Sequence, residues 1–288
     1  MSESEAAQAA ATGNANLLMR IAAALVLAPV AIATGYAGGW LWIALVTLVA
    51  IGLHIEWLTV VGLVGERRAA IGGAIALAIA GACLAFGRIE AAWIVLAVGL
   101  VAAATLSSRL RNWSAAGFVY AAAAQMASIL LRFDAEMGFA ALVFVFLIVW
   151  VTDIGGYFAG RGIGGPKLWS RVSPKKTWAG AIGGFAASLA VAAAFAALAP
   201  HRDSQLLALK IGPLLGLGAV LSIVSQLGDL FESAVKRHFG VKDSSHLIPG
   251  HGGLMDRLDG FIAAMAVAAI FGLWRGGVDG AGRALMVW

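Results

Sequence analysis

Residues 138–159 read GFAALVFVFLIVWVTDIGGYFA, and residues 160–177 continue GRGIGGPKLWSRVSPKKT. The first stretch is almost wholly apolar, with Thr152 and Asp153 the main exceptions, and has the length of about 20 residues that an α-helix needs to cross a hydrocarbon core. Backbone N–H and C=O groups inside lipid must be satisfied within their own segment, so such a stretch is helical. The second stretch is polar and dense in Gly, Lys and Arg. A membrane helix ending in a basic insertion is therefore the unit from which the rest of the chain can be read.

The apolar pattern recurs at residues 17–36, 40–64, 69–87, 91–106, 115–131, 178–199, 206–227 and 260–274, which makes about nine spans of bilayer length. Composition agrees. Of the 288 residues 61% are hydrophobic and 12% charged, with mean hydropathy +0.90, against roughly 45–50% apolar and about 25% charged in soluble domains. Soluble globular, disordered and secreted proteins are excluded, and the expected fold is all-α, a polytopic transmembrane helical protein. Glycines inside several spans suit close helix approach. Three regions are expected: a disordered cytoplasmic tail over 1–16, N-terminal transmembrane helices over 17–132, and a catalytic transmembrane region over 138–275 with polar loops 160–177 and 232–259. The tail is Ala-rich, carries Glu3 and Glu5, and has no basic residue before Arg20, which argues against a cleavable signal peptide. The single cysteine, Cys83, has no thiol partner and reads as packing.

The formal charge of +5 and pI near 9.7 would raise nucleic acid as a partner in a soluble domain. Here the positive charge sorts by side of the membrane. Alternating spans place Arg20, Arg67, Arg68, Arg109, Arg111 and every Lys and Arg of the two polar loops on the side of the N-terminus. Only Arg88, Arg132, Arg202, Lys210, Arg275 and Arg283 fall opposite. By the positive-inside rule the N-terminus and both polar loops are cytoplasmic, at the inner (plasma) membrane, and nucleic acid is not expected as a partner.

Chemistry is concentrated in the two loops. Gly160-Arg161-Gly162-Ile163-Gly164-Gly165 satisfies G-x-G-x-x-G formally, but it follows a membrane helix rather than a strand, and Pro166 stands where a P-loop lysine belongs. A flexible basic loop remains, suited to phosphates or to anionic lipid headgroups. The second loop reads ESAVKRHFGVKDSSHLIPGHGGLMDRLD over 232–259. If the eighth helix continues beyond the membrane, Asp229, Glu232 and Lys236 share one face, and Asp256 and Asp259 share another at the start of the ninth. Paired carboxylates suit a hard cation such as Mg²⁺, which takes one or two of them plus substrate phosphates, and the basic residues beside them suit a polyphosphate. The competing interpretation is a set of interfacial ion pairs. Asp153 lies near the cytoplasmic end of its span, where an ionisable group costs roughly 2.5–3.5 kcal/mol at mid-membrane and marks a functional position by default. His54 and Glu56 are expected to hydrogen-bond a neighbouring helix. Ser233 has no His and Asp partners for serine chemistry, and His201 and His246 read as solvated loop residues.

The stretch Ser233-x-Val235-Lys236-Arg237, then Lys242-Asp243, then Pro249-x-His251-Gly252-Gly253-Leu254-x-Asp256-Arg257-Leu258-Asp259 resembles the signature of the phosphatidate cytidylyltransferases, the CDP-diacylglycerol synthases. Thr152-Asp153-Ile154-Gly155-Gly156-Tyr157, Ser173-Pro174-Lys175-Lys176-Thr177-Trp178 and Gln226-Leu227-Gly228-Asp229 are also similar to that family. The likeness covers roughly 153–259. It departs at Ala179, where many members carry Glu, and the first five spans match in hydrophobicity alone.

The resemblance implies that CTP and phosphatidic acid, drawn from the bilayer, become CDP-diacylglycerol and pyrophosphate with Mg²⁺, in a paired centre with K⁺. It assigns Asp229 and Asp256 to the metal, with Asp259 beside them. Lys175, Lys176, Lys236, Arg237 and Lys242 would bind triphosphate or lipid phosphate, and Asp153 would line the substrate site. His251, Gly252 and Gly253 would form a phosphate-binding turn, and Arg257 would pair with Asp256 or phosphate. A homodimer is implied as well. The rivals are a CTP-dependent lipid kinase, which would transfer the γ-phosphoryl group, and a transporter, for which no internal repeat is seen. A CDP-alcohol phosphatidyltransferase is set aside because its D-G-x-x-A-R motif is absent.

Overall fold

The computed structural model describes residues 26–198, 210–245 and 252–288. The helices are α1 (Val26–Ala37), α2 (Gly39–Val60), α3 (Arg67–Ala85), α4 (Ile89–Thr105), α5 (Arg111–Phe133), α6 (Gly138–Gly162), α7 (Trp178–Leu198), α8 (Ile211–His238), α9 (Met255–Gly276) and α10 (Ala281–Met286). Seven of these, among the described residues, are long and apolar enough to cross a membrane; α1 and α4 are apolar but shorter. The described part of each apolar run read from the sequence overlaps one of α1 to α9. The expected tail, 1–16, lies outside the described residues, as do His201, His246 and His251.

Polar side chains pin this apolar bundle where lipid offers no hydrogen-bond partner. The Gln125 Nε2 on α5 donates to Thr47 Oγ1 at 2.9 Å on α2 and to the Leu77 carbonyl at 3.0 Å on α3. Trp42 Nε1 donates to the Ser128 carbonyl at 2.9 Å, and Thr152 Oγ1 to Ser222 Oγ at 2.9 Å, joining α6 to α8. His54 faces the Ala69 carbonyl at 3.4 Å, the neighbouring-helix contact expected of it. The hydroxyl and backbone N–H of Ser108, in the α4–α5 loop, donate to Glu66 in the α2–α3 loop and hold its carboxyl below its ordinary value. The buried core is continuous from Trp42 on α2 to Met286 on α10, and Cys83 packs against it.

The first polar loop is more ordered than a flexible basic loop. The α6 helix runs on to Gly162, and a two-stranded antiparallel hairpin follows: β1 (Lys167–Trp169) and β2 (Ser173–Thr177), with Lys167 opposite Thr177 and Trp169 opposite Ser173. The base of the hairpin is closed by the Trp178 N–H donating to the Pro166 carbonyl at 3.1 Å. The Thr177 hydroxyl then accepts the Gly180 N–H at 3.1 Å, capping the first turn of α7. At the other loop, α8 has 28 residues, about 42 Å at 1.5 Å per residue. That exceeds the hydrocarbon thickness of about 30 Å, so its last turns carry Asp229, Glu232 and Lys236 toward the polar end of the bundle, as the sequence suggests.

Candidate active site

Two close helix crossings set the site. At α6–α7, a Cβ on Gly180 would meet the Gly156 carbonyl at 2.8 Å, and one on Gly155 would meet Ala187 Cβ at 2.7 Å. At α8–α9, a Cβ on Gly228 would meet the Asp259 carbonyl at 2.8 Å. Small residues let these backbones nearly touch, and the polar side chains flanking them converge. Asp153 precedes the first crossing; Asp229 and Asp259 flank the second.

Between α6, α7, α8 and the hairpin lies a cavity of about 690 Å³ lined by Asp153, Arg161, Lys167, Lys175, Lys176 and Asp229, with Gln226 and Tyr157 at its wall. Lys176 Nζ forms an ion pair with Asp229 Oδ2, and Ser233 Oγ donates to Asp229 Oδ1 at 3.3 Å. Arg161 Nη1 donates to Tyr157 Oη at 2.8 Å. Four basic side chains around one cavity offer a multiply charged anion a site that also has carboxylates at its wall.

Beside the cavity lies a more buried cluster. Lys236 Nζ is 2.8 Å from Glu232 Oε2 and 2.5 Å from Asp256 Oδ1, its side chain only 11% exposed. Asp256 Oδ2 also accepts the Ser244 N–H, the Ser244 hydroxyl and the Gly253 N–H, each at 3.0 Å. Glu232 Oε1 is buried without a hydrogen-bond partner among the described residues. Asp259 joins the two groups, being within electrostatic reach of Asp229, Glu232 and Asp153, and it accepts the Gly260 N–H at 2.7 Å.

The structure thus brings together Asp153, Lys175, Lys176 and Asp229 in the cavity, and Lys236, Asp256 and Gly253 in the cluster, with Asp259 between. Arg237 and Lys242 are exposed, and Arg237 Nη1 donates to the Val241 carbonyl at 3.1 Å. Arg257 occupies the first turn of α9, exposed, and Gly252 turns with φ +87°. Residues that sequence reasoning did not single out are Arg161, Lys167, Tyr157, Gln226 and Ser244. For Arg161 and Tyr157 a signal existed: Asp153, Tyr157 and Arg161 are spaced four apart and share one face of α6.

Among the described residues no three of His, Cys, Asp and Glu form a ready-made metal cage. The donor set nevertheless fits a hard divalent cation. Its oxygens are carboxylates, several of them lie within mutual electrostatic reach, and Glu232 has an oxygen without a hydrogen-bond partner among the described residues. One or two carboxylates completed by substrate phosphates is the ordinary Mg²⁺ arrangement. Asp256 is the least available of the expected ligands, because Lys236, Ser244 and Gly253 already occupy it.

Comparison with known proteins bears on the chemistry. The phosphatidate cytidylyltransferase of Brucella suis biovar 1 (strain 1330) is 40% identical over 265 residues, covering 89% of this chain and 93% of that protein. The protein of the same name from Staphylococcus aureus (strain COL) is 44% identical over 129 residues, 45% of this chain and 47% of its own. The cytidylyltransferase family model matches residues 18–274, and with that coverage the chain belongs to the cytidylyltransferase family.

Proposed function

We propose that this protein is a phosphatidate cytidylyltransferase, joining CTP to phosphatidic acid to give CDP-diacylglycerol and pyrophosphate at the cytoplasmic face of the plasma membrane. The observation that carries this is the cavity where Lys175, Lys176, Lys167 and Arg161 face Asp153 and Asp229, in a chain whose relatives bear that enzyme's name. CTP reaches the cavity from the cytoplasm and phosphatidic acid from the bilayer. We assign the assembly as a homodimer on family resemblance alone.

A phosphate oxygen of phosphatidic acid attacks the α-phosphorus of CTP. The new P–O bond forms as the bond from the α-phosphorus to the α–β bridging oxygen breaks, and pyrophosphate leaves with that oxygen. No protein nucleophile is required. Two anions must meet, so the protein's work is positioning and charge neutralisation. Lys175, Lys176, Lys167 and Arg161 balance the triphosphate, and Lys236, Arg237, Lys242, His251, Gly252, Gly253 and Arg257 are assigned to phosphate on the family resemblance. A phosphate that paired with Lys176 in place of Asp229 would leave the Asp229 carboxylate free to hold a cation. Asp229 and Asp259, with Asp256 as a third candidate, would hold Mg²⁺, with K⁺ as its companion; the bound cation would withdraw charge from the reacting phosphates.

The test incubates the purified protein in detergent with phosphatidic acid, Mg²⁺ and CTP labelled at either the α- or the γ-phosphorus. Cytidylyl transfer puts only the α-label into lipid. Lipid carrying γ-label would mean a CTP-dependent kinase instead, and no label in lipid from folded protein would remove the reading.

A further inference from the structure

We propose that Glu56, on α2, is a positioning residue for the transfer reaction, holding the start of α9, and with it Asp256 and Asp259, against α8. This rests on the reaction assigned above and extends it to the N-terminal half of the chain, outside the motifs of roughly 153–259.

Glu56 is 3% exposed. Its two carboxylate oxygens accept the Leu254 N–H at 2.8 Å, the Met255 N–H at 2.7 Å, the Ser245 hydroxyl at 2.5 Å and the Ser244 hydroxyl at 3.3 Å. Leu254 is the cap position of α9 and has no side-chain cap of its own. The first N–H groups of a helix have no partner within it, and its N-terminus favours negative charge. Here both needs are met by a carboxylate from another helix, distant in sequence. A buried carboxylate is costly unless its oxygens are satisfied, and these are satisfied by the start of α9 and by the hydroxyls of Ser244 and Ser245.

The clamp reaches the reactive cluster through Ser244. Its hydroxyl lies between two carboxylates, Glu56 Oε2 at 3.3 Å and Asp256 Oδ2 at 3.0 Å. Gly253 packs into the same corner, where a Cβ would collide with the Ser244 hydroxyl and stand 2.9 Å from Glu56 Oε2. Asp256 in turn holds Lys236, and Lys236 holds Glu232. Asp256 directly follows Met255, whose N–H Glu56 binds, and Asp259 lies in the next turn. A displacement of about 1 Å at reacting groups costs on the order of 100-fold in rate, so an anchor at this point governs turnover more than substrate affinity.

The experiment measures amide exchange by mass spectrometry over residues 252–262 of the full-length protein in detergent, alongside steady-state transfer, for Glu56→Ala, Glu56→Gln and Gln125→Leu. Glu56→Ala is expected to speed exchange at Leu254 and Met255 and to lower kcat about 10- to 100-fold, with KM for CTP within about 2-fold of wild type. Glu56→Gln keeps an acceptor oxygen and recovers part of both. Gln125→Leu removes a buried hydrogen-bonding side chain elsewhere in the N-terminal half and leaves both at wild-type values. Unchanged exchange in Glu56→Ala overturns the clamp. Faster exchange with wild-type kcat, or the same losses in Gln125→Leu, overturns the positioning role. Should Glu56→Ala fail to fold, Glu56→Gln carries both readouts. The exchange measurement needs no activity, so a wild type that transfers nothing refutes the reaction while leaving the clamp separately testable.

Discussion

Lys236 is the residue on which the buried charge of the site depends. It pairs with Glu232 and Asp256 at 2.8 and 2.5 Å, and its own side chain is only 11% exposed. Lys236→Met keeps the apolar stem and removes the charge. Removing one partner of a buried ion pair costs about 3–5 kcal/mol, so the variant should melt well below wild type in detergent, and an unchanged melting temperature would refute this. Lys176 differs, being part-exposed beside Asp229. Lys176→Ala should leave the melting temperature nearly unchanged and raise the apparent KM for CTP about 10-fold; unaltered KM for both substrates would remove it from the site. At this scale the sequence was informative wherever residues cluster along the chain. Asp229, Lys236, Asp256 and Lys176 stood out by spacing and by resemblance. Glu56 was seen as a hydrogen-bonding residue, but not as the cap of α9, because its partner Leu254 lies 198 residues away and no local pattern marks that distance.

Among elements, the α6–α7 crossing does most to shape the cavity. A Cβ on Gly184 would collide with the backbone carbonyl of Thr152, next to Asp153. Gly184→Val should push the helices apart, cost about 1–3 kcal/mol as overpacking does, and depress transfer by displacing Asp153; melting and transfer assays on one preparation would show both, and wild-type values in both would contradict the crossing. The hairpin was the element the sequence concealed. Its strands are short, β2 contains Pro174, and neither displays the period of two that identifies strands. What orders it is contact with α7, through Pro166 and Thr177, which a local reading does not contain. The long helices were legible because bilayer-length apolar runs need no partner to declare themselves.

For the whole molecule, the arrangement implies a sidedness. The Lys-rich hairpin and the loop after α8 should face the cytoplasm. In a Cys83→Ser background, a cysteine at Asp243→Cys should be labelled by a membrane-impermeant maleimide only in inside-out vesicles, and labelling in right-side-out vesicles would reverse the topology. The central claim is that the cavity between α6, α7, α8 and the hairpin is where CTP meets the lipid phosphate. The most direct test is transfer from α-labelled CTP to phosphatidic acid by Asp229→Asn, a change that preserves side-chain size, compared with wild type at saturating substrates. We predict a folded protein with kcat lower by about 100-fold or more. Wild-type turnover by Asp229→Asn would place the chemistry elsewhere and contradict the account.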